Sequence, residues 1–378
     1  MLSQIRQQLL QLKSPLASLC MVLFIVVLAA TGILLSDMYA PALPAIARSF
    51  QVSADTVRLS ISLFLFGVTA PQLLFGPLSD AWGRKKIIEL GFLIAIIGSA
   101  VCLWSVHMWM LSLGRFVQGV GIGAISLNAR AIARDIFPEQ QRVKVFAYIG
   151  TVISIAPAIA PLIGGYVQYY FDWRMIFVVM TSLLIVVSVL IIALLPETNR
   201  HIGSNPLRLK TAISNYKKLL MTESFMTHVI FSACIFSIVM IYFTVSPHLL
   251  QVDLGLSVIH YSWSCTVVVL MMVFSRLLNI VFLSYFSVSN IIRIGILVVF
   301  LSSLSLISLS LGRVFTAESL LLPVIIMMLG IGLVMGNVMA RMFQHVGSIA
   351  GSAGALFGAI QVLLAAICSA IASHLPAT

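Results

Sequence analysis

Eleven long apolar runs, divided by short polar connections, fill almost all of this 378-residue chain. They lie near 17–40, 56–77, 87–107, 109–132, 144–169, 173–195, 226–249, 259–285, 290–312, 319–342 and 350–373. Each is roughly 20 residues or more and rich in Leu, Ile and Val, the length a helix needs to cross a ~30 Å hydrocarbon core. The alternating segments of about ten residues that build a membrane β-barrel are absent. A soluble fold is excluded because 61% of the residues are hydrophobic and 9% charged. Soluble domains average about half and a quarter, and so few polar residues cannot cover a water-facing surface. The chain reads as an all-α integral membrane protein.

The net charge of +11 follows the connections. On one side stand Arg6 and Lys13, then Arg84, Lys85 and Lys86, then Arg130, Arg134, Arg142 and Lys144. The same side takes Arg200, Arg208, Lys210, Lys217 and Lys218, whereas the opposite loops of the first half, near 42–58, 107–109 and 170–174, carry only Arg48, Arg58 and Arg174. Cytoplasmic loops carry the excess of Lys and Arg, so the N-terminus is expected in the cytoplasm of a multi-pass protein of the cytoplasmic (inner) membrane. The basic charge is topological, with some attraction to membrane lipids bearing anionic headgroups; nucleic acid is not an expected partner. The opening "MLSQIRQQLLQLKSPLASLC" reads as a cytoplasmic tail entering span one, since the apolar segment that follows is too long for a secretion signal. Eleven spans beginning inside place the C-terminus outside.

One polar, basic stretch interrupts the pattern, "PETNRHIGSNPLRLKTAISNYKKLLMTES". It divides the chain into a six-span bundle (1–195), a cytoplasmic linker (196–225) and a second bundle (226–378) with five recognisable spans.

The five cysteines all fall inside apolar runs, none at CxxC spacing, and the seven histidines are scattered. Neither disulfides nor a metal site are indicated. No nucleophile–base constellation and no P-loop are present, so the chain reads as no enzyme, needs no cofactor and does not draw directly on ATP. "GVGIGA" (Gly119–Ala124) follows no strand and lies within a span, so it fails as a dinucleotide loop. Gly119 and Gly123 instead form a GxxxG face for close helix packing.

Between spans two and three stands "GPLSDAWGRKK" (Gly76–Lys86). A tight cytoplasmic turn accounts for its basic residues but not for Asp80 or Gly83. The phrase resembles the signature loop of the major facilitator superfamily and matches it at every specified position. "LSLGRFVQGVGIGA" in span four resembles that family's intramembrane Arg motif, with Arg115, Gln118 and Gly119 in place. "APAIAPLIGG" (Ala156–Gly165) resembles its antiporter motif, and span six ends in "LPETN". With "SDMYAPALP" in span one, these phrases most resemble the bicyclomycin/chloramphenicol-resistance branch of drug:proton antiporters.

The resemblance implies two pseudo-symmetric bundles rocking around a mid-membrane site. In the loop, Gly76, Asp80, Gly83 and Arg84, with Asp135 as partner of Arg84, would form a conformational latch. Asp80 would serve the helix dipole of span eleven, and Gly76 would let span two approach it. Small residues and Pro157, Pro161, Gly164 and Gly165 in span five would give a kinked helix that packs closely; a role in preventing leak is compatible with that packing.

Two charges lie in the apolar interior, Asp37 and Arg115. At about 1.5 Å per residue both fall in the outer part of the membrane, within roughly one helical turn of the same depth. Intramembrane charges usually pair across a bundle interior and mark function. Asp37 and Arg115 are therefore the expected proton-coupling and substrate residues, with Tyr39 and Gln118 contributing selectivity. The alternative is that Asp37 merely caps a helix end before "APALP".

The sequence departs from the family pattern in three places. Ala29 and Ala30 occupy the region where some related exporters carry a second acid. The counterpart of the latch loop is reduced to "SYFSVSN", and a twelfth span is not recognisable. The expected activity is proton-coupled efflux of small, fairly apolar compounds by a monomer. A proton-coupled importer of a metabolite or siderophore is the alternative on the same fold, although "APAIAPLIGG" argues for export. A non-transporting sensor or scaffold is the alternative of another class.

Overall fold

The computed structural model describes residues 15–199, 209–312, 316–344 and 350–373, and every regular element among them is a helix. Arg6, Lys13, Arg200, His201, Arg208, His345 and His374 lie outside the described residues.

Helix α1 spans Pro15–Asp37, so Asp37 is its last residue rather than lying three residues inside a span ending at 40. Pro41 explains the early stop: it has no N–H to donate to the Asp37 carbonyl four residues back, so the helix cannot continue through it. The chain recovers as a 3-10 turn, Ala40–Ala42, and a short α2, Leu43–Phe50. Helix α2 buries Leu43, Pro44 and Ile46 while Arg48 is exposed, so the segment read as an outer loop near 42–58 is largely helical. It closes at Gln51, whose φ is 54°, with the Val52 N–H donating to the Ala47 carbonyl at 3.1 Å, a helix-ending bond pattern more often built on glycine.

Helix α3 (Ala54–Trp82) contains Pro71 and Pro77 and bends by 42° between Ala54–Thr69 and Leu74–Trp82. Pro71 sits at that break, the usual cause of a sharp kink. There follow α4 (Arg84–Leu103), α5 (Met108–Ile136), α6 (Glu139–Tyr170) and α7 (Trp173–Leu194). The linker contributes α8 (Leu209–Leu220), which ends in Lys217 and Lys218. Then come α9 (Glu223–His248), a π-helical turn Leu249–Asp253, α10 (Val258–Phe282), α11 (Val288–Leu311), α12 (Ala317–Gln344) and α13 (Ala350–Ser373).

Among the described residues nine helical runs are long and apolar enough to cross a membrane, and ten if the two arms of α3 count as one span. The eleventh expected span is helical as α13, although the apolar stretch found there, Leu356–Ala372, is shorter than the others.

The chain divides into two compact units. The first comprises Met1–Ser36, Ser60–Ala156 and Asp172–Ser214. Its packing rests on small residues. A Cβ added at Gly98 of α4 would strike the Gln118 backbone, and one at Gly114 of α5 would lie 2.7 Å from Cys102 Sγ. Gly119 and Gly123 face the carbonyls of Phe64 and Val68 just as closely, so the GxxxG face of α5 packs on α3.

The second unit comprises Asp37–Leu59, Pro157–Phe171 and Asn215–Thr378. Val239, Tyr261, Cys265, Val268, Met328 and Ile331 form the centre of its apolar core. In the first unit, Ile185, Val186, Val189 and Leu190 on α7 are exposed, the apolar outer surface that a lipid-facing helix presents.

Candidate functional site

The loop between α3 and α4 is built around one buried guanidinium. Gly83 has φ 103° and ψ 150°, a conformation that residues with a Cβ rarely adopt, and it lets α4 begin at the next residue. Arg84 is 5% exposed. Its Nε donates to Asp135 Oδ2 at 3.0 Å, Nη2 meets Asp80 Oδ1 at 2.5 Å, and Nη1 donates to Ser79 Oγ. Bonds between a fork of guanidinium donors and carboxylates are among the strongest that side chains make. Asp80 itself is largely exposed. A Cβ at Gly76 would meet Leu127 Cδ2 at 3.8 Å, an ordinary contact.

Glu197 completes this corner. Its carboxylate accepts the backbone N–H groups of Arg84 at 2.9 Å and Lys85 at 3.1 Å. An anion there satisfies orphan donors at the N-terminus of α4 and complements the helix dipole. Oε1 of the same carboxylate also accepts from the backbone of Thr198 and Asn199, both at 2.9 Å. Asn199 Nδ2 returns to the Asp80 carbonyl at 2.7 Å, and Lys85 Nζ donates to the Ile192 carbonyl at 2.8 Å. "LPETN" thus ties the end of α7 to the loop between α3 and α4.

Deeper in the same unit, Arg115 is fully buried. Nη1 donates to the Leu35 carbonyl at 3.2 Å and to Gln118 Oε1. Its guanidinium carbon lies 4.1 Å from the centre of the Phe64 ring, a cation–π placement that desolvation strengthens. Gln118, also fully buried, donates from Nε2 to Ser99 Oγ at 2.6 Å and approaches Met180 Sδ at 3.8 Å. Four helices of this unit, α3, α4, α5 and α7, therefore hold one arginine–glutamine pair in place, and α1 supplies a carbonyl.

In the second unit Asp37 ends α1, and Tyr39, two residues on, is fully buried. The intervening residue, Met38, presents its carbonyl to Gly164, where an added Cβ would collide with it. The neighbouring Gly165 faces Ser262 Oγ of α10 just as closely. Pro157 and Pro161 lie inside α6, and at this interrupted turn the Ala158 carbonyl accepts from Thr266 Oγ1 at 2.7 Å. The antiporter-motif residues of this unit are thus the surface on which α6 meets α10 and the end of α1. The Asp37 carboxylate is close enough to act electrostatically on Cys265. Cys265 neighbours the fully buried Tyr261, whose hydroxyl shares a 3.2 Å hydrogen bond with Ser246.

Sequence reasoning missed Glu197, Ser99, Phe64, Ser246, Tyr261 and Cys265. Only Glu197 left a trace, in the "LPETN" phrase. The others are ordinary residues in apolar runs, where a helix that is apolar all round does not reveal its inward face. Among the described residues no group of three or more His, Cys, Asp and Glu side chains is placed to hold a metal.

Comparison with known proteins agrees with this architecture. The chain is 27% identical over 346 residues to the bicyclomycin resistance protein homolog of Haemophilus influenzae, covering 90% of this chain and 85% of that protein. It is 29% identical over 346 residues to the uncharacterized MFS-type transporter YdgK of Bacillus subtilis, with the same coverage of 90% and 85%. It is 30% identical over 221 residues to the multidrug resistance protein MdtL of Salmonella typhimurium, 58% of this chain and 55% of that protein. Its fold matches the crystal structure of a D-xylose-proton symporter with a TM-score of 0.75 at 17% identity, over 92% of this chain and 88% of that one. The sequence model of the Major Facilitator Superfamily matches residues 19–371, nearly the full span of α1 to α13, and the chain belongs to that superfamily of membrane transporters.

Proposed function

We propose that this transporter is a proton-coupled exporter of small, fairly apolar compounds such as drugs or related metabolites. The observation that carries the reading is a fully buried arginine bonded to the carbonyl of Leu35, two residues before the only acid of α1. The names of the bicyclomycin- and multidrug-resistance relatives point the same way.

Asp37 serves as the proton carrier and Arg115 as the fixed positive charge against which it works. Asp37 is deprotonated while its charge is balanced by Arg115. It takes a proton when rocking separates the two and opens an outer water path, so proton loading accompanies release of the compound. Inward opening reverses both. One proton entering against a neutral compound moves one charge, worth about 2.3 kcal/mol per 100 mV. That sustains somewhat under a fiftyfold gradient at about 1.4 kcal/mol per tenfold. Tyr39 and Gln118 contribute selectivity.

In this reading residues 1–195 and 226–378 are the rocking bundles, joined by the linker 196–225. Gly76, Asp80, Gly83, Arg84 and Asp135 form the latch that holds one state, and Pro157, Pro161, Gly164 and Gly165 the packed seam. The protein works as a monomer in the inner membrane with its N-terminus in the cytoplasm, its basic loops beside anionic lipid. The test is accumulation of a panel of apolar cationic and neutral compounds in everted vesicles. Uptake that collapses with an uncoupler supports the reading; uptake only in right-side-out vesicles would make the protein an importer.

A further inference from the structure

Arg276 is a charge inside a membrane span to which the transport cycle above gives no role. It stands six residues before the end of α10 (Val258–Phe282), about 9 Å along the axis at 1.5 Å per residue. Ionisable residues within spans are rare and mark function. Eleven residues, three turns, separate Arg276 from Cys265. The two side chains therefore leave the helix in nearly the same direction, about 16.5 Å apart along it. Cys265 is the thiol on which the Asp37 carboxylate acts, and Tyr261 and Met272 share its face. The far side of α10 carries Trp263, Leu270, Phe274 and Leu277, all exposed, an apolar stripe suited to lipid. Arg276 thus points away from that stripe, along the line that leads to Asp37.

Burial falls off along this inward face. Tyr261 and Cys265 are fully buried and Val269 nearly so. Met272, Arg276 and Asn279 are only half-buried, and Ile280 is exposed. The C-terminal half of α10 is open on the side where its N-terminal half is closed by Gly165 and the Ala158 carbonyl of α6. Charge is placed unevenly as well. Residues 226–378 hold two acids, Asp253 and Glu318. One is in the π-helical turn before α10 and the other in the first turn of α12, so both lie at the end where α10 begins. Arg276 lies toward the other end, as does Arg341, whose Nη2 donates to Ser289 Oγ near the start of α11 at 2.6 Å. A low-dielectric surface of one sign focuses its field and disfavours approach of ions of that sign.

We infer that Arg276 makes the open half of this face a positively charged surface that turns away organic cations and admits uncharged and anionic compounds. Arg276 is in this sense a specificity determinant, and it keeps cations from competing with the proton for the Asp37 carboxylate. The inference rests on the efflux reading for the kind of cargo, narrowing it to uncharged or anionic apolar compounds. The charge of the surface itself is measured without transport.

The experiment places cysteine at Met272 or at Ile280, each one turn from Arg276, in the full-length protein lacking its native cysteines. Each variant is reacted in turn with sulfonatoethyl methanethiosulfonate, an anion, and trimethylammonioethyl methanethiosulfonate, a cation of similar size. The inference predicts that the anion reacts faster. The ratio of the two rates should fall on the order of tenfold in Arg276→Gln, the scale of one fixed charge acting oppositely on two ions nearby. Arg276→Lys, which keeps the charge, should retain the ratio, and it decides alone against Met272→Cys and Ile280→Cys should Arg276→Gln fail to fold: an anion preference kept by Lys supports the inference, and none overturns it. A ratio unchanged in Arg276→Gln, or no reaction at either position, also overturns it. Accumulation of tetraphenylphosphonium by the wild type in everted vesicles would overturn the exclusion of cations even with the ratio intact. Loss of all uptake with the ratio intact would fault the efflux reading and leave the charged surface standing.

Discussion

Arg115 Nη1 donates to the backbone carbonyl of Leu35 at 3.2 Å. A fully buried guanidinium on α5 is thereby bonded to α1 two residues before its C-terminal residue, Asp37. Gln118 accepts from the same nitrogen and is itself held by Ser99. A buried charge persists only where such partners compensate its desolvation. Removing one should be expensive: Gln118→Ala leaves Arg115 without one acceptor and Ser99 without its donor. Thermal unfolding in detergent should show a loss of about 1–3 kcal/mol, with transport falling alongside. A variant as stable as the wild type would mean that the network is not what holds Arg115.

The latch loop should act on rates more than on affinity. Arg84 ties α4 to Asp135 on α5 and to Asp80. Asp80→Asn and Arg84→Ala should cut turnover roughly tenfold or more, because a state stabilised by such a contact is worth on the order of 1–3 kcal/mol. Ligand affinity of the purified protein should change little. A large affinity loss with normal interconversion would remove these residues from gating. Glu197→Gln should resemble Arg84→Ala, since its carboxylate holds the first N–H groups of α4.

Gly164 permits a backbone approach that no larger residue allows. Gly164→Ala would drive a methyl group into the Met38 carbonyl, beside Asp37. Overpacking of this kind costs typically about 1–3 kcal/mol. The lowered unfolding midpoint should come with impaired transport, whereas Gly150→Ala, where an added Cβ meets nothing within 4 Å, should be silent. Equal behaviour of the two variants would contradict the packing assigned to the antiporter motif.

Orientation is open to direct labelling. In a cysteine-free background, a membrane-impermeant maleimide should modify cysteine at exposed His107 or Phe171 in intact cells, and at Lys86 only after lysis. The reverse pattern would invert the topology read from the Lys and Arg bias.

The spans were legible because runs of about 20 apolar residues have few other folds open to them. Their ends were less so. Pro41 stops α1 at Asp37, and the segment after it folds as α2 because Leu43, Pro44 and Ile46 find a buried face. Such burial depends on neighbours remote in sequence. The Arg84–Asp135 contact was foreseeable through a dense motif, whereas the carboxylate capping α4 comes from Glu197, 113 residues away, with no local signal of its partner. The same holds for Ser99 and Phe64 around Arg115: a serine or phenylalanine in an all-apolar helix does not announce which face it occupies.

The central claim, that Asp37 carries the coupling proton, is tested most directly by uphill transport in everted vesicles with Asp37→Asn against wild type. Asparagine keeps the size and hydrogen-bonding shape but cannot exchange a proton, so the variant should fold, reach the membrane and bind compound. Uncoupler-sensitive accumulation should be lost, leaving only downhill equilibration. If Asp37→Asn still accumulates compound uphill with the same proton dependence, Asp37 only ends a helix and the coupling group lies elsewhere.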